Sequence, residues 1–250
     1  MNNAEYYHFA DFTLENYRRL LGLAREKYPF RTYQDFDPDQ RFLIWRHDVD
    51  FSPRAALEMA RIEAAEGLQI TYFVLLHSQF YNLLEKAESN CIHEILGLGH
   101  DLGLHFDCSY YAMNGEEELE ELLGRERRML EDTFGLPIHA FSFHNPTPAI
   151  LCFDRGRYAG LTNTYSDFFK NREDYCSDSN GYWRFRRLEE VLREGQDERL
   201  QVLTHPIMWP ATVMSPRQRV YRCVEEMAVR AKLYYDELLR EARRENVEWE

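Results

Sequence analysis

Short apolar runs alternate along this chain with helical stretches of ten or more residues, and this alternation limits the folds open to it. The runs Phe42–Trp45 and Ile70–Leu75 are β-branched and aromatic, as is typical of buried strands. Stretches 53–66 and 115–134 carry apolar residues at helical spacing, and a glycine follows each of them. Strands separated by helices of this length predict a parallel sheet.

Four of the predicted strands end near a histidine or an aspartate, namely Asp50, His105, His144 and His205. The carboxyl ends of the strands of a parallel barrel share one face, so these side chains are expected to converge. No Gly-x-Gly-x-x-Gly turn suggests a dinucleotide site. The pattern therefore predicts an α/β barrel, related to the TIM barrel, with its chemistry at the strand ends.

One domain is expected over residues 1–250, because a barrel of this length usually forms a single domain. Residues 5–28 predict an N-terminal helix before Pro29. Residues 215–245 predict a long amphipathic C-terminal helix. Both helices are expected to pack on the barrel, and the length of the second also permits packing on a partner subunit.

Acidic residues number 43 and basic residues 30, which gives a formal charge of −13. This sign argues against nonspecific nucleic-acid binding and against docking on anionic lipid. No apolar run is long enough to span a bilayer, and the N-terminus lacks the basic-then-apolar pattern of a signal peptide. The five cysteines are widely spread without zinc-ligand spacing, so reduced thiols and a cytoplasmic location are expected.

Asp48 and Asp50 point the same way from an extended backbone, because side chains two residues apart share a face. Two like charges side by side in an apolar setting are costly unless a metal ion or a shared proton offsets them. A purely structural alternative is that Asp50 and Ser52 begin a helix while Asp48 pairs with an arginine. Carboxylate and imidazole ligands at the strand ends would suit Zn²⁺ and other first-row divalent ions.

The order and spacing of these motifs resemble the polysaccharide deacetylases, the NodB-homology or carbohydrate esterase family 4 fold. More narrowly, they resemble the subgroup found among surface-polysaccharide and O-antigen biosynthesis proteins. The resemblance covers roughly residues 42–209 and implies a distorted (β/α)₇ barrel. Matching segments imply Asp48 as general base, Asp50 and His105 as metal ligands, and His205 as general acid.

Two further segments resemble family motifs. Phe143–Pro146 lies where the family has an Arg-x-Pro-Tyr motif beside the base, which makes Asn145 a candidate for substrate contact or support of the site. Asp178–Trp183 resembles the motif whose Asp and Trp line the groove. Asp178 is therefore a candidate to orient His205, and Trp183 to contact substrate. His47 alternates away from Asp48 and is expected to be buried or to support the site from behind.

The chain departs from the family pattern at two positions. A second ligand histidine is expected four residues after His105, but Ser109 stands there. The arginine of the third motif is replaced by His144. The first interpretation is that His144 supplies the third metal ligand. The second is that Asp107 supplies it, since it lies two residues after His105. The third is that the metal site has been lost.

Aromatic residues follow several predicted strand ends, namely Tyr110, Tyr111, Trp183 and Trp209. Aromatic faces stack well on sugar rings, so these residues are candidates for a carbohydrate groove. The alternative, which is the commoner one for any single aromatic residue, is that they cover the core.

The resemblance implies a hydrolase that removes an N-acetyl group from an acetamido sugar during O-antigen or capsule synthesis. A divalent ion, Zn²⁺ first and Co²⁺ or Ni²⁺ as alternatives, would bind the acetyl carbonyl and a water. Asp48 would take the proton of that water, and His205 would protonate the amine. A cytoplasmic location favours a nucleotide- or lipid-linked sugar over a finished polymer, with the free sugar as a third substrate form. The alternatives are hydrolysis of another amide C–N bond, and a non-catalytic, metal-free carbohydrate-binding or scaffold protein.

Overall fold

The computed structural model of the protein describes residues 1–113, 115–170 and 174–248. Its strands form a mostly parallel sheet, and helices connect many of them. The strands are β1 Phe30–Arg31, β2 Phe42–Val49, β3 Thr71–Leu75, β4 Asp101–Phe106, β5 Ala140–Phe143, β6 Arg157–Tyr158, β7 Leu161–Asn163, β8 Tyr175–Ser177 and β9 Arg199–Thr204. The helices are α1 Asn3–Tyr6, α2 Leu14–Lys27, α3 Pro53–Ala65, α4 Lys86–Gly97, α5 Glu116–Phe134, α6 Leu188–Glu194 and α7 Pro216–Glu241.

The sheet follows the spatial order β6-β7-β5-β4-β3-β2-β9-β8, and β1 pairs with the start of β2. Every pairing is parallel except that of β6 with β7. This order has two ends, so the strands of the described residues do not close a hydrogen-bonded ring. The sheet is nevertheless curled, so that β9 and the end of β7 approach each other. Gln201 on β9 donates a hydrogen bond of 3.5 Å to the carbonyl of Thr164, just after β7.

Strand β2 is buried along its whole length, and its two faces meet different surroundings. Leu43, Trp45 and Val49 point outward into the large core that the helices share with the sheet. Phe42 and Ile44 point inward and form a smaller cluster inside the curl with Tyr33, Phe73, Ala140 and Phe169. The interior of the sheet is therefore packed beneath the end of β2 that carries Asp48 and Asp50.

A polar network is buried on the outward face of β2, between the sheet and the helices. Glu63 of α3 accepts hydrogen bonds of 2.5 Å from Tyr17 and 2.6 Å from Tyr72, and His47 Nε2 lies 2.6 Å from it. The other ring nitrogen of His47 lies 2.8 Å from the hydroxyl of Thr204. Burial raises the pKa of Glu63, but the charge and hydrogen bonding of His47 outweigh burial, so the pKa is lowered.

The predicted N-terminal helix is wrong in detail. Residues 5–28 do not form one helix. The chain turns at His8, which has φ 52°, and α2 begins only after Thr13, whose hydroxyl caps the helix by accepting from the amide of Asn16. Strands β6 and β7 form an antiparallel hairpin, which turns at Ala159 and Gly160, both with positive φ.

Helix α7 begins with a capping box between Ser215 and Gln218. Its buried side chains are Arg219 and Cys223, both near its start. Further along the helix, large apolar side chains such as Leu233 and Tyr234 are exposed. No helix of the described ranges is both long and apolar enough to cross a bilayer. The five cysteines are free thiols.

Candidate active site

Asp50, His105 and His144 meet at the carboxyl end of the sheet, beyond β2, in β4 and beyond β5. The Nε2 atom of His105 lies 3.1 Å from Asp50 Oδ1, and His144 Nδ1 lies 3.5 Å from the same oxygen. The two ring nitrogens are 3.2 Å apart. These atoms form the candidate metal cluster found within the described residues.

The cluster fits a divalent metal ion. Ligands of a tetrahedral zinc ion lie 2.0–2.1 Å from it and therefore about 3.4 Å from one another, close to the distances among these three atoms. Asp50 Oδ1 is buried and has no hydrogen-bond partner among the described atoms, as expected of an oxygen reserved for an ion. Three protein ligands of this kind leave a position open, which is the arrangement of catalytic sites.

Ser142 gives His105 the tautomer that a metal ligand needs. It lies opposite His105 in the β4–β5 register, with its hydroxyl 2.7 Å from His105 Nδ1 and 3.2 Å from Asp48 Oδ1. Because the Ser142 hydroxyl donates its hydrogen to Asp48, it accepts the Nδ1–H of His105. The Nε2 lone pair is then directed at the cluster.

His144 is held by its neighbours rather than by a strand. Its backbone amide donates to the carbonyl of Phe106, and the side-chain amide of Asn145 lies 2.9 Å from His144 Nε2. Nδ1 therefore points towards Asp50. Burial raises the pKa of Asp50, but the imidazoles of His105 and His144 beside its Oδ1 and the charge of His205 bring this pKa well below its usual range. Asp50 is thus ionised at neutral pH.

Asp48 lies beside this cluster and is held by Arg46. The Nη1 atom of Arg46 donates a hydrogen bond of 2.7 Å to Asp48 Oδ1, and both side chains are buried. The guanidinium lies 5.4 Å and 5.3 Å from the ring centroids of Phe73 and Tyr165. The second oxygen, Oδ2, is 3.9 Å from His105 Nε2. Asp48 therefore presents one oxygen to Arg46 and the other to the cluster.

His205 follows β9, and Asp178 fixes its orientation. Nδ1 of His205 lies 2.6 Å from Asp178 Oδ1, and the Asp178 carboxylate also accepts from the His205 backbone amide and from Trp209 Nε1. The other ring nitrogen, Nε2, is 3.8 Å from Asp50 Oδ2. Burial lowers the pKa of His205, but the negative charge of Asp178 outweighs burial and raises it to about 9.

Other residues singled out in the sequence lie outside this constellation. Asp107 lines the cavity but caps its own turn, since its Oδ1 accepts from the backbone amide and the hydroxyl of Ser109. Trp183 does not line the cavity, and its Nε1 donates to Asp11. His47 is fully buried on the opposite face of β2. Its partner there, Glu63, belongs to the network between sheet and helices.

The aromatic side chains that follow the predicted strand ends lie outside the cavity lining. Tyr111 donates a hydrogen bond to Glu126, and Tyr110 stacks on His77 with ring centroids 3.6 Å apart. Trp209 is buried against Trp183. The aromatic residues that do line the cavity are Phe51, Phe80, Phe143, Tyr165, Phe169, Tyr175 and Phe185.

Arg46 and Ser142 were not predicted as site residues, although the sequence contains a signal for one of them. Arg46 lies two residues before Asp48, so strand alternation places both on one face. The pairing of Asp48 with an arginine, considered above as a purely structural alternative, is therefore present. Ser142 has no comparable signal, because its position opposite His105 depends on the register of two strands.

The constellation lines a cavity of about 1180 Å³, which contains Asp48, Asp50, His105, His144 and His205. The cavity therefore brings together a candidate metal cluster, a carboxylate directed at it and a protonated histidine. This combination suits hydrolysis of an amide or ester, in which a water must lose a proton and a leaving group must gain one.

No family model matches the chain, and no curated protein matches it. Solved structures with a similar backbone fold include a carbohydrate esterase family 4 pseudoenzyme from Bacillus anthracis, with 14% sequence identity and a TM-score of 0.42. The match covers 76% of this chain and 63% of that one. A mutant of a family 4 pseudoenzyme with restored enzymatic activity is similar at 12% sequence identity with a TM-score of 0.43. That match covers 78% of this chain and 65% of the mutant's chain.

The chitin deacetylase of Colletotrichum lindemuthianum is similar at 14% identity with a TM-score of 0.46, over 76% of this chain and 84% of that one. The structural neighbours thus include a deacetylase as well as pseudoenzymes. This chain spans somewhat less than two thirds of the length of the pseudoenzymes. Its function is therefore inferred from its own residues.

Proposed function

We propose that the protein is a metal-dependent hydrolase that removes an N-acetyl group from an acetamido sugar. The observation that carries this proposal is the convergence of Asp50, His105 and His144 within one cavity, flanked by Asp48 and His205. The motif order that resembles the polysaccharide deacetylases supports the same assignment. A distorted (β/α)₇ barrel of that family is part of the proposal.

Asp50, His105 and His144 would hold a divalent ion, Zn²⁺ by preference. When bound, such an ion supplies Lewis-acid polarisation of an amide carbonyl and lowers the pKa of a water molecule. Asp48 acts as the base. Its Oδ2 faces the cluster and accepts the proton of the attacking water, while Arg46 and Ser142 hold its Oδ1.

His205 acts as the acid. With a pKa of about 9 it is protonated at neutral pH, and its Nε2 faces the cavity while Asp178 holds Nδ1. The amine of an amide is a poor leaving group until it is protonated. A positioned imidazolium can give it that proton as the C–N bond breaks, and Asp178 stabilises the charge of the ring beforehand.

We further propose that the sugar belongs to a pathway of surface-polysaccharide synthesis, O-antigen or capsule, and that the protein acts in the cytoplasm. The narrower motif resemblance supports the pathway. Five free thiols are consistent with a reducing compartment. A cytoplasmic enzyme would meet its sugar before assembly into polymer, as a free, nucleotide-linked or lipid-linked form.

The experiment combines metal analysis with an acetate-release assay on a panel of acetamido sugars. We expect about one Zn, Co or Ni per chain, lost in Asp50→Ala and His105→Ala, and acetate release that requires the metal. Asp48→Asn should keep the metal and lose turnover. A metal-free chain that still binds sugar would instead indicate a binding protein. A metal-loaded chain active only on other amides would reject the sugar assignment.

A further inference from the structure

The cavity is larger than an acetamido group requires. Its volume is about 1180 Å³, whereas small-molecule pockets usually measure about 300–1,000 Å³. The candidate metal cluster and Asp48 occupy the end where the strands finish. The rest of the cavity is lined by loops and by the start of α7. The ligand is therefore expected to extend beyond the sugar that is hydrolysed.

Among the described residues, the lysine and arginine side chains that line this cavity are Lys170, Arg184 and Arg217. The ammonium of Lys170 lies 3.5 Å from a carboxylate oxygen of Asp154, so its charge is offset. Neither Arg184 nor Arg217 forms an ion pair with a carboxylate among the described residues. Their contacts are aromatic, with Arg184 over the ring of Phe185, and Arg217 over the ring of Tyr221, whose hydroxyl it also contacts.

Neighbouring arginines behave differently. Arg186 pairs with Asp197, and Arg187 pairs with Asp11, although both lie within three residues of Arg184. On α7, Arg222 lies 3.7 Å from a carboxylate oxygen of Glu226. The chain carries 43 acidic residues against 30 basic ones, so carboxylate partners are plentiful. Two arginines that face a cavity without such partners are therefore available to an anionic ligand.

The two arginines belong to segments that pack against each other. Arg184 follows the 3₁₀ turn Ser179–Gly181, and Arg217 lies in the first turn of α7. The turn and the helix start are in contact, because Arg219 donates a hydrogen bond of 3.0 Å to the carbonyl of Gly181. A Cβ added to Gly181 would lie only 2.9 Å from Cβ of Pro216. The relative position of the two segments is therefore fixed by packing.

We propose that Arg184 and Arg217 bind a phosphate or diphosphate ester carried by the acetamido sugar. A guanidinium presents several N–H groups in one plane and binds phosphate oxygens in pairs. Two guanidinium groups from separate segments suit a ligand with two anionic centres, which a diphosphate supplies. The inference rests on the proposed function, because it places this group in the same cavity as the hydrolytic residues.

A diphosphate can come from a nucleotide or from a lipid carrier, and the test separates these two sources. Binding of UDP and of geranyl diphosphate to the full chain is measured by calorimetry, with uridine and geraniol as their uncharged counterparts. The titrations are made after metals are removed with a chelator, so that no ion can bind the diphosphate. The probes lack an acetamido group, so their binding does not depend on deacetylase activity.

We expect at least one diphosphate to bind, and its uncharged counterpart to bind at least about tenfold more weakly. Arg184→Gln and Arg217→Gln should each weaken diphosphate binding by about tenfold. Both side chains are exposed, so the melting temperature should not change. Arg230→Gln, on the same helix but outside the cavity, is the matched control and should bind normally. The tighter diphosphate identifies the carrier.

The inference is overturned if neither diphosphate binds, or if both arginine variants bind diphosphate as well as the unaltered chain does. Failure of the proposed function would look different. In that case the chain would bind a diphosphate through the arginines and yet hold no metal or release no acetate from any acetamido sugar.

Discussion

Arg46 and Asp48 form a buried ion pair within a single strand, with 2.7 Å between Nη1 and Oδ1. Residues two apart on a strand share a face, so the pair needs no loop or second element to bring it together. An unpaired buried charge costs several kcal/mol, so each charge offsets the cost of burying the other. The proposed base is thereby held in position from beneath.

The first prediction concerns this pair. Arg46→Met keeps most of the side-chain volume but removes the charge and the hydrogen bond to Asp48 Oδ1, so that Asp48 loses its orientation. We expect kcat to fall by about 100-fold, in the range of general base catalysis. The free energy of unfolding should fall by about 3 kcal/mol. Steady-state kinetics and urea unfolding measure these effects.

Arg46→Lys is the conservative control and should recover part of both activity and stability, since it retains a positive charge. An unchanged kcat in Arg46→Met, in protein that remains folded, would argue against a positioning role for Arg46.

The second prediction separates the two candidates for the third metal ligand. His144 Nδ1 lies 3.5 Å from Asp50 Oδ1, whereas Asp107 accepts hydrogen bonds from Ser109. We expect His144→Ala to weaken zinc binding by 100-fold or more, because one of three protein ligands is lost. Asp107→Asn should keep a full equivalent of zinc. Competition with a chromogenic chelator measures both affinities. The reverse result would make Asp107 the ligand.

The third prediction concerns pH. Asp178 raises the pKa of His205 to about 9, and a general acid works only while it is protonated. Activity should therefore fall as pH rises through that value. In Asp178→Asn, burial still lowers the pKa while the opposing charge is gone, so the alkaline limb should move to lower pH. A kcat profile from pH 5 to 10 measures this shift.

The same pair has a consequence for stability. A histidine whose pKa is raised on folding stabilises the folded state. This contribution is fully present below the pKa of the unfolded state, about 6.5, and is lost as pH rises through the pKa of the folded state. The melting temperature of Asp178→Asn should therefore differ most from that of the unaltered chain at low pH. Asp197→Asn, which breaks the pair with Arg186 instead, is the control and should not move the alkaline limb.

The fourth prediction concerns the outward face of β2. Glu63 is fully buried and accepts from Tyr17 and Tyr72, and its pKa is lowered chiefly by His47 against the effect of burial. Glu63→Gln removes the buried carboxylate charge that these partners surround, so we expect a loss of about 3 kcal/mol in the free energy of unfolding. Urea unfolding measures the loss.

Glu66→Gln, at the C-terminal end of α3, is the matched control. Glu66 forms a partly exposed ion pair with Arg25, so this substitution should change the free energy of unfolding by less than about 1 kcal/mol. The contribution of Glu63 should be present above its unfolded pKa and lost as pH falls through the lower folded value. Zinc content should not change in either variant. Loss of zinc in folded Glu63→Gln would show that this network acts on the site.

The sequence predicts much of the sheet because long buried strands have a clear signature. Strand β2 was expected to end near Asp50, and it ends at Val49. Strands β1 and β8 have two and three residues, too few for any periodicity, and neither was predicted. Helix α6 was missed as well, since it is only seven residues long.

The candidate site was predictable where it depends on strand alternation and not where it depends on loops. Strand parity alone places Asp48 and Asp50 on one face. After the strand, parity no longer holds. Asp107 could equally have pointed at Asp50, but the backbone turns there and its carboxylate caps Ser109. Which of two side chains approaches a cluster is then a matter of local turn geometry, which a spacing rule cannot supply.

Because alternate residues of β2 face opposite sides, the strand is unusually intolerant of changes in length. Arg46, Asp48 and Asp50 lie on one side, and His47 lies on the other with the outer network. Inserting or deleting one residue ahead of Arg46 would exchange the two sets, placing imidazole inside and three charged groups among apolar helices. Substitutions can change this protein gradually, but an insertion or deletion in this strand would disrupt the candidate site and the fold together.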